Sequence, residues 1–167
     1  MVKISIRLLL PVSLATLFII QGAGCSLFKP IPNTFNISIN ADAKVNPDKD
    51  DRSSPVVLRI YELTDNKPFN TLDFFDIYDN DKEKLEASFI TKQEMELNPN
   101  ESRKIDFVLN EKTKFIGFLV AYQDIDSAKW REVVEVDSRK ATGIPVYGRQ
   151  GLTVNLEKNK INIVRKN

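Results

Sequence analysis

Apolar and polar residues alternate with a period of two along most of the chain after residue 34. The first such run places Phe35, Ile37, Ile39 and Ala41 on one face and polar residues on the other. Because successive side chains of a strand point to opposite faces of a sheet, this pattern predicts a half-buried β-strand. The run at 56–63 is almost continuously apolar and rich in β-branched residues, which predicts a more deeply buried strand.

Six further strands follow from the same pattern. They are predicted at residues 94–97, 103–109, 115–122, 131–136, 152–156 and 161–163. The run at 115–122 is apolar on both faces, which is typical of a central strand. Asn98-Pro99-Asn100 is a turn signal between two strands. About eight short strands separated by turns predict a mainly β fold, a β-sandwich.

An insertion between the second and third strands, residues 64–89, lacks this alternation. Asp73 or Asp76 is placed to cap a short helix that carries three aromatic residues. Asp81 is placed to cap a second helix, in which Leu85 faces the core. The sequence therefore predicts a small helical insertion within the sandwich domain.

The direction of the strands predicts which loops meet. Successive antiparallel strands reverse direction, so alternate connections lie at the same end of the sandwich. The loops expected to meet are 42–54, 98–102, 123–130 and 158–159. We expect the helical insertion and loop 137–150 to cover the opposite end. Loops grouped at one end of a rigid sandwich are a common recognition surface.

The first 25 residues have the three-part order of a secretory signal. Lys3 and Arg7 precede the apolar run 8–20, and small residues from Gly22 onward lead to Cys25. The apolar run is about 13 residues long, shorter than the roughly 20 that a membrane-spanning helix needs. A membrane-spanning anchor remains the alternative.

This N-terminal segment resembles a bacterial lipoprotein signal, although Gly22 stands where such signals usually have a larger aliphatic residue. The resemblance implies cleavage before Cys25 and attachment of a diacylglycerol and an acyl chain there, and several chains hold a protein firmly to a membrane. Ser26 replaces the aspartate that signals inner-membrane retention, which favours the outer membrane. The next residues contain two prolines and predict an extended stalk of roughly 25 Å. The predicted parts are a signal at 1–24, a lipidated cysteine and stalk at 25–33, and a sandwich domain at 34–167.

Composition excludes several kinds of chemistry. The chain has no histidine and its single cysteine is Cys25, which excludes Ser-His-Asp and Cys-His catalysis, Cys/His zinc sites and disulfides. Its 24 basic and 23 acidic residues form no basic block, so a nucleic-acid partner is not expected. We expect no enzyme, no cofactor and no small-molecule substrate.

One group of acidic residues has the spacing of a calcium loop. Asp79, Asp81 and Glu83 match its first ligands, but Lys84 and Ile90 replace the glycine and the glutamate that the loop needs. Helix caps and a solvated face are the favoured interpretation, and no metal site is predicted.

A second acidic group is Asp48, Asp50 and Asp51, with Arg52 beside it. A solvated loop or a charged docking surface is favoured there over a calcium site. Trp130, the single tryptophan, is expected to fill the core more than to mark a binding site.

Several segments match a known family in their order along the chain. They are Val45-Asn46-Pro47-Asp48, residues 54–63, Asp73-Phe74-Phe75 with Tyr78, Leu97-Asn98-Pro99, Tyr122-Gln123-Asp124 and Ala128-Lys129-Trp130-Arg131. This set resembles the TssJ family, the outer-membrane lipoproteins of bacterial type VI secretion systems.

The resemblance implies a transthyretin-like sandwich of two four-stranded sheets and a binding role without catalytic residues. It implies a partner, the periplasmic C-terminal region of the inner-membrane protein TssM, and a contact through loop 42–54. The predicted partner-binding residues are Val45, Asn46, Pro47 and Asp48, with Asn98, Pro99, Asn100, Asp124, Ile125 and Asp126 from neighbouring loops. The alternative function is a periplasmic transthyretin-like lipoprotein that carries a small apolar ligand, which requires a cavity in the sandwich.

Overall fold

The structure is a computed structural model that describes residues 34–136 and 151–166. Its elements are β1 (Thr34–Ala41), β2 (Val56–Leu63), α1 (Lys67–Thr71), α2 (Phe74–Leu85), a 3-10 turn (Glu86–Ser88), β3 (Phe89–Leu97), β4 (Ser102–Val108), β5 (Phe115–Ala121), β6 (Arg131–Glu135), β7 (Gly151–Leu156) and β8 (Ile161–Lys166). The predicted signal, Cys25, the stalk and loop 137–150 lie outside the described residues. Over the two described ranges, no helix is long and apolar enough to cross a membrane.

Two four-stranded sheets form the sandwich. Their strand orders are β4-β1-β7-β8 and β3-β2-β5-β6. Strands β1 and β7 pair in parallel, and the other neighbours pair antiparallel. The predicted fold, a mainly β sandwich of two four-stranded sheets with a small helical insertion, is confirmed.

The main core fills the space between the sheets. Register places apolar residues side by side, because Ile37 of β1 pairs with Ile105 of β4 and Leu152 of β7. The inward-facing residues include Phe35, Ile37 and Ile39 of β1, Leu58 and Ile60 of β2, Ile116, Phe118 and Val120 of β5, and Leu152, Val154 and Leu156 of β7. Alternation in the sequence thus turns one face of strands such as β1 and β7 toward the main core.

The helical insertion covers a sheet face and not the end of the sandwich, so that prediction was wrong. Its buried residues Phe69 and Ile77 pack in a second apolar cluster with Tyr61, Leu63 and Leu119, which belong to β2 and β5. These strands have one apolar face toward the main core and a second toward the insertion. An apolar outer face has to be covered, and the two helices cover it.

The helices of the insertion divide where the sequence predicted, directly before Asp81, but their caps differ from prediction. Asp73 occupies the N-cap position of α2 without a side-chain hydrogen bond, and α2 is kinked at Asn80. Asp81 follows the kink but is buried, where it pairs with Lys92 and accepts a hydrogen bond from the Tyr61 hydroxyl. Strand β3 begins five residues earlier than predicted, at Phe89 instead of residue 94.

Trp130 joins the two apolar clusters. It is half-buried and packs against both, with its ring centroid 5.2 Å from that of Phe74 on α2. The side chain therefore has the core-filling place that the sequence predicted.

Candidate protein-binding surface

Four connections meet at one end of the sandwich, which we call the loop end. They are residues 42–55, 98–101, 122–130 and 157–160. The Asn46 N–H donates to the carbonyl of Lys158 at 2.9 Å, and the Asn100 N–H donates to the carbonyl of Asp42 at 3.3 Å. The N–H of Gln123 donates to the side-chain oxygen of Asn46 at 2.7 Å. The loops predicted to meet from strand direction are therefore in contact.

Loop 42–55 has a buried base. Val45 is 0% exposed and belongs to the main core. Asn46 is 4% exposed, and its side-chain amide donates to the carbonyl of Pro55 at 2.6 Å. Asn46 also has a left-handed backbone with φ of 50°, a conformation that asparagine tolerates better than most residues. These two residues hold the loop to the sandwich.

The same loop has an exposed tip, residues 47–53, closed by an antiparallel bridge between Pro47 and Ser53. One carboxylate oxygen of Asp48 accepts from the backbone N–H groups of Asp50 at 2.9 Å and Arg52 at 3.0 Å. The other accepts from Nε of Arg52 at 2.9 Å. The hydrogen bond from the Arg52 backbone, followed by that from its side chain, holds the pKa of Asp48 below its ordinary value. The tip is ordered by its own side chains before any partner arrives.

Two of the predicted partner-binding residues are buried. Val45 and Asn46 do not present their side chains at the surface, because the loop must close the end of the core as it crosses from one sheet to the other. We therefore treat them as positioning residues and not as contacts. The other predicted residues are exposed or half-buried: Pro47, Asp48, Asn98, Pro99, Asn100, Asp124, Ile125 and Asp126.

The turn at 98–101 is held from within. Glu101 accepts a hydrogen bond from the Asn98 N–H at 2.9 Å and pairs with Arg103. The Asn98 backbone, followed by the Arg103 side chain, keeps the pKa of Glu101 below its ordinary value. Asn100 has φ of 63°, which closes the turn and leaves its side chain in solvent.

An open cleft of about 550 Å³ lies between the loops. Its lining residues are Asn46, Pro47, Asp48, Lys49, Asp51, Tyr122, Gln123, Asp124, Lys158 and Asn159. Lys158 pairs with Asp51 at 2.7 Å, and this hydrogen bond and charge hold the pKa of Asp51 below its ordinary value. The pair links the tip of loop 42–55 to the loop 157–160.

Sequence reasoning missed several of these lining residues, Tyr122 and Lys158 above all. Tyr122 had a signal in the sequence, because it continues the inward-facing row of Phe118 and Val120 and adds a hydroxyl to it. Lys158 had none, because its place depends on how two loops distant in sequence approach each other.

The acidic residues at the tip of loop 42–55 pair with basic side chains. Arg52 contacts Asp48 at 2.8 Å and Asp50 at 3.2 Å, and Lys158 contacts Asp51. Within residues 34–136 and 151–166, no group of three or more acidic, histidine or cysteine side chains is arranged to hold a metal ion. The charges of the loop end are therefore largely balanced among themselves.

Comparisons with known proteins relate this fold to secretion components. The T6SS lipoprotein TssJ1 from Pseudomonas aeruginosa is 31% identical, with a TM-score of 0.74 over 82% of this chain and 98% of that one. Lip from Serratia marcescens, a membrane-bound component of the type VI secretion system, is 20% identical, with a TM-score of 0.71 over 82% of this chain and 99% of that one.

A third similar chain belongs to a structure described as the C-terminal domain of the T6SS protein TssM from EAEC. It is 22% identical, with a TM-score of 0.62 over 78% of this chain and 97% of that one. No curated protein matches at a significant level. The family model described as type VI secretion lipoprotein, VasD, EvfM and TssJ matches residues 33–159. With most of its length matched by that model and its sandwich shared with TssJ1, this chain belongs to the type VI secretion lipoprotein family.

Proposed function

We propose that this protein is lipid-anchored in the outer membrane and binds the periplasmic C-terminal region of TssM through its loop end. It thereby acts as a structural component of the secretion envelope complex, without enzymatic activity. The proposal rests on the structure of loop 42–55. Its base is fixed in the core, and its charged tip is ordered and exposed. A surface that is ordered before binding loses little conformational entropy on binding.

TssM is the proposed partner for two reasons. The family is a secretion lipoprotein family, and a chain of similar fold belongs to a structure described as a TssM domain.

The tip offers charges of both signs, since Lys49, Asp50 and Arg52 are exposed. Charges arranged on an exposed surface steer association and select partners more than they add raw affinity.

The position of the N-terminus suits an anchored protein. The described chain enters the sandwich at Thr34, whereas β1 ends at Ala41, directly before loop 42–55. Eight strand residues span roughly 26 Å. The chain that leads from Cys25 therefore joins the sandwich at the end away from the proposed partner surface.

Cys25 is the proposed lipidation site, and its replacement tests the anchor. Cys25→Ser should release the protein from membranes or leave its precursor uncleaved, because the serine has no thiol to acylate. Membrane fractionation and the size of the product report the result. A processed variant that still fractionates with membranes would contradict the anchor.

The direct test of the partner surface replaces residues 48–52 by Asn-Gly. The two-residue turn keeps the Pro47–Ser53 bridge and retains Val45 in the core, which removal of the whole loop would not do. Calorimetric titration with the TssM periplasmic region should show loss of binding. The melting temperature should change by only about 2 °C, because the tip makes few contacts outside itself.

A matched control lies on the helical insertion. Phe74→Ala removes a ring that contacts Phe75, Tyr78 and Trp130 at centroid distances of 5.1 to 5.2 Å. It should lower the melting temperature and leave TssM affinity unchanged. If the tip variant binds TssM as tightly as the wild type, the partner surface lies elsewhere.

The alternative, a carrier of a small apolar ligand, has no observation in its favour. The side chains that face each other between the sheets in the described part are fully buried and packed together. Eight of the ten residues that line the cleft at the loop end are charged or amide residues, whereas sites for apolar ligands are lined mainly by hydrophobic and aromatic residues.

A further inference from the structure

An ion pair joins the exposed tip of loop 42–55 to a neighbouring loop. Nζ of Lys158 lies 2.7 Å from a carboxylate oxygen of Asp51, although the two residues are 107 positions apart in the chain. In the described part of the chain, the other hydrogen bonds and ion pairs of tip 47–53 stay within loop 42–55. The pair is therefore the polar contact that connects the tip with the rest of the loop end.

Loop 157–160 is held firmly on the other side of this pair. The carbonyl of Lys158 accepts a hydrogen bond from the N–H of Asn46 at 2.9 Å, and the carbonyl of Asn159 accepts one from the N–H of Lys129 at 3.0 Å. Two neighbouring loops thus fix the backbone around Lys158. Its side chain reaches from this fixed place to the projecting tip.

Asp51 occupies a position in the tip whose backbone does not require a carboxylate. Its N–H donates to the carbonyl of Asp48 at 3.0 Å, which closes the turn, and its φ of 60° is left-handed. Asparagine also takes this conformation readily and has nearly the same size. The charge of Asp51 therefore serves the contact with Lys158 and not the turn.

The exposure of the pair determines how strongly it can act. The side chains of Lys158 and Asp51 are 57% and 76% exposed. Exposed ion pairs contribute little to the stability of a fold, and salt weakens them. A weak contact can still favour one position of a projecting tip. Affinity for a partner falls in proportion to the fraction of the protein that has the binding-competent position.

We propose that the Asp51–Lys158 pair fixes the position of tip 47–53 relative to loop 157–160, and that Lys158 is thereby a positioning residue for binding of the TssM periplasmic region. This inference rests on the proposed function and extends it, because the tip is ordered internally by Asp48 but placed by Lys158. Both members of the pair also line the cleft, so the pair sets the spacing between the tip and the loop across the cleft.

The test is a double-mutant cycle with Asp51→Asn and Lys158→Met in the full chain, purified in detergent and titrated with the TssM periplasmic region. Each single variant should raise the dissociation constant about two- to fivefold, the range that an exposed ion pair contributes. The double variant should bind no more weakly than either single variant, because both substitutions break the same pair. All melting temperatures should stay within about 2 °C of wild type.

A matched control uses a second ion pair, which lies on the helical insertion. Lys84 pairs with Asp76 at 3.2 Å, and both residues belong to α2. Lys84→Met removes one lysine charge from a partly exposed pair, as Lys158→Met does. It should leave the affinity for TssM unchanged.

The outcomes separate this inference from the proposed function. If the wild-type protein does not bind TssM, the proposed function fails and this inference fails with it. If the wild-type protein binds and both single variants bind equally well, only this inference is overturned. It is overturned as well if the two losses of affinity add in the double variant, because Asp51 and Lys158 then contact TssM separately. A melting temperature more than about 4 °C below wild type in either single variant would also overturn it, since the pair then stabilises the fold.

Discussion

Replacing Asn46 by alanine tests whether a buried residue shapes the proposed partner surface. Asn46 connects three loops, because its side chain accepts from Gln123 and donates to Pro55, and its N–H donates to Lys158. Alanine removes both side-chain hydrogen bonds, so the N–H of Gln123 and the carbonyl of Pro55 lose their partner. It must also adopt the left-handed backbone of Asn46, with φ of 50°.

The expected loss of stability follows from these contacts. Two hydrogen bonds contribute about 1 kcal/mol each, and a left-handed backbone costs alanine about 1 kcal/mol. The alanine variant should therefore lose about 3 kcal/mol of unfolding free energy, or roughly 10 °C in melting temperature. Asn46→Gly loses the same bonds but tolerates the backbone, so it should lose about 2 kcal/mol.

Urea unfolding and thermal melting measure the stability of both variants, and titration with the TssM region measures binding. The alanine variant should bind more weakly although the Asn46 side chain is almost inaccessible, because loop 42–55 is no longer fixed against Gln123 and Lys158. Melting within about 2 °C of wild type would show that Asn46 does not hold the loop. Weaker binding in the glycine variant with unchanged stability would make Asn46 a contact and not a positioning residue.

Two further predictions concern the second sheet and the charged loops. Gly117→Ala places a methyl group 3.0 Å from the ring of Phe69 and 3.1 Å from Leu63, so urea unfolding should show a loss of about 1–3 kcal/mol. In the double variant, Phe69→Leu should recover part of the stability lost in Gly117→Ala. If the stability losses of the two substitutions simply add, the methyl group does not clash with the Phe69 ring. The lowered pKa of Asp51 means that its pairing stabilises the loop above its ordinary pKa of 3.8 and is lost as pH falls through the lower folded value. An NMR titration of Asp51 should give a midpoint below 3.8 that rises in Lys158→Met, and equal midpoints would refute the pairing.

The strands could be predicted because alternation is a local property of the chain. The continuous apolar run of β2 also predicted a more deeply buried strand, and in the structure Leu58 faces the other sheet while Tyr61 faces the helices. What covers the outer face could not be predicted, since the insertion follows β2 and can reach either the face or the end. The choice depends on packing between residues distant in sequence, such as Phe69 against Gly117.

The sequence predicted which loops meet at the loop end, but not which of their residues are buried. Strand direction alone determines which loops share an end, and that expectation agreed with the contacts of Asn46 and Asn100. Whether a loop residue points outward or inward depends on the gap that the two sheets leave. Val45 is an apolar residue in a polar loop, and this was the one local sign that it fills that gap.

The place of β1 has a mechanical consequence. Its N-terminal end continues toward the proposed anchor and its C-terminal end continues into loop 42–55. Tension between membrane and partner would therefore pass along the covalent backbone of this one strand. Strand β1 lies between β4 and β7, so hydrogen bonds along both of its sides hold this strand in place under such a pull. The neighbouring strands would then keep β1 extended, and the domain would transmit force from anchor to partner without being stretched itself.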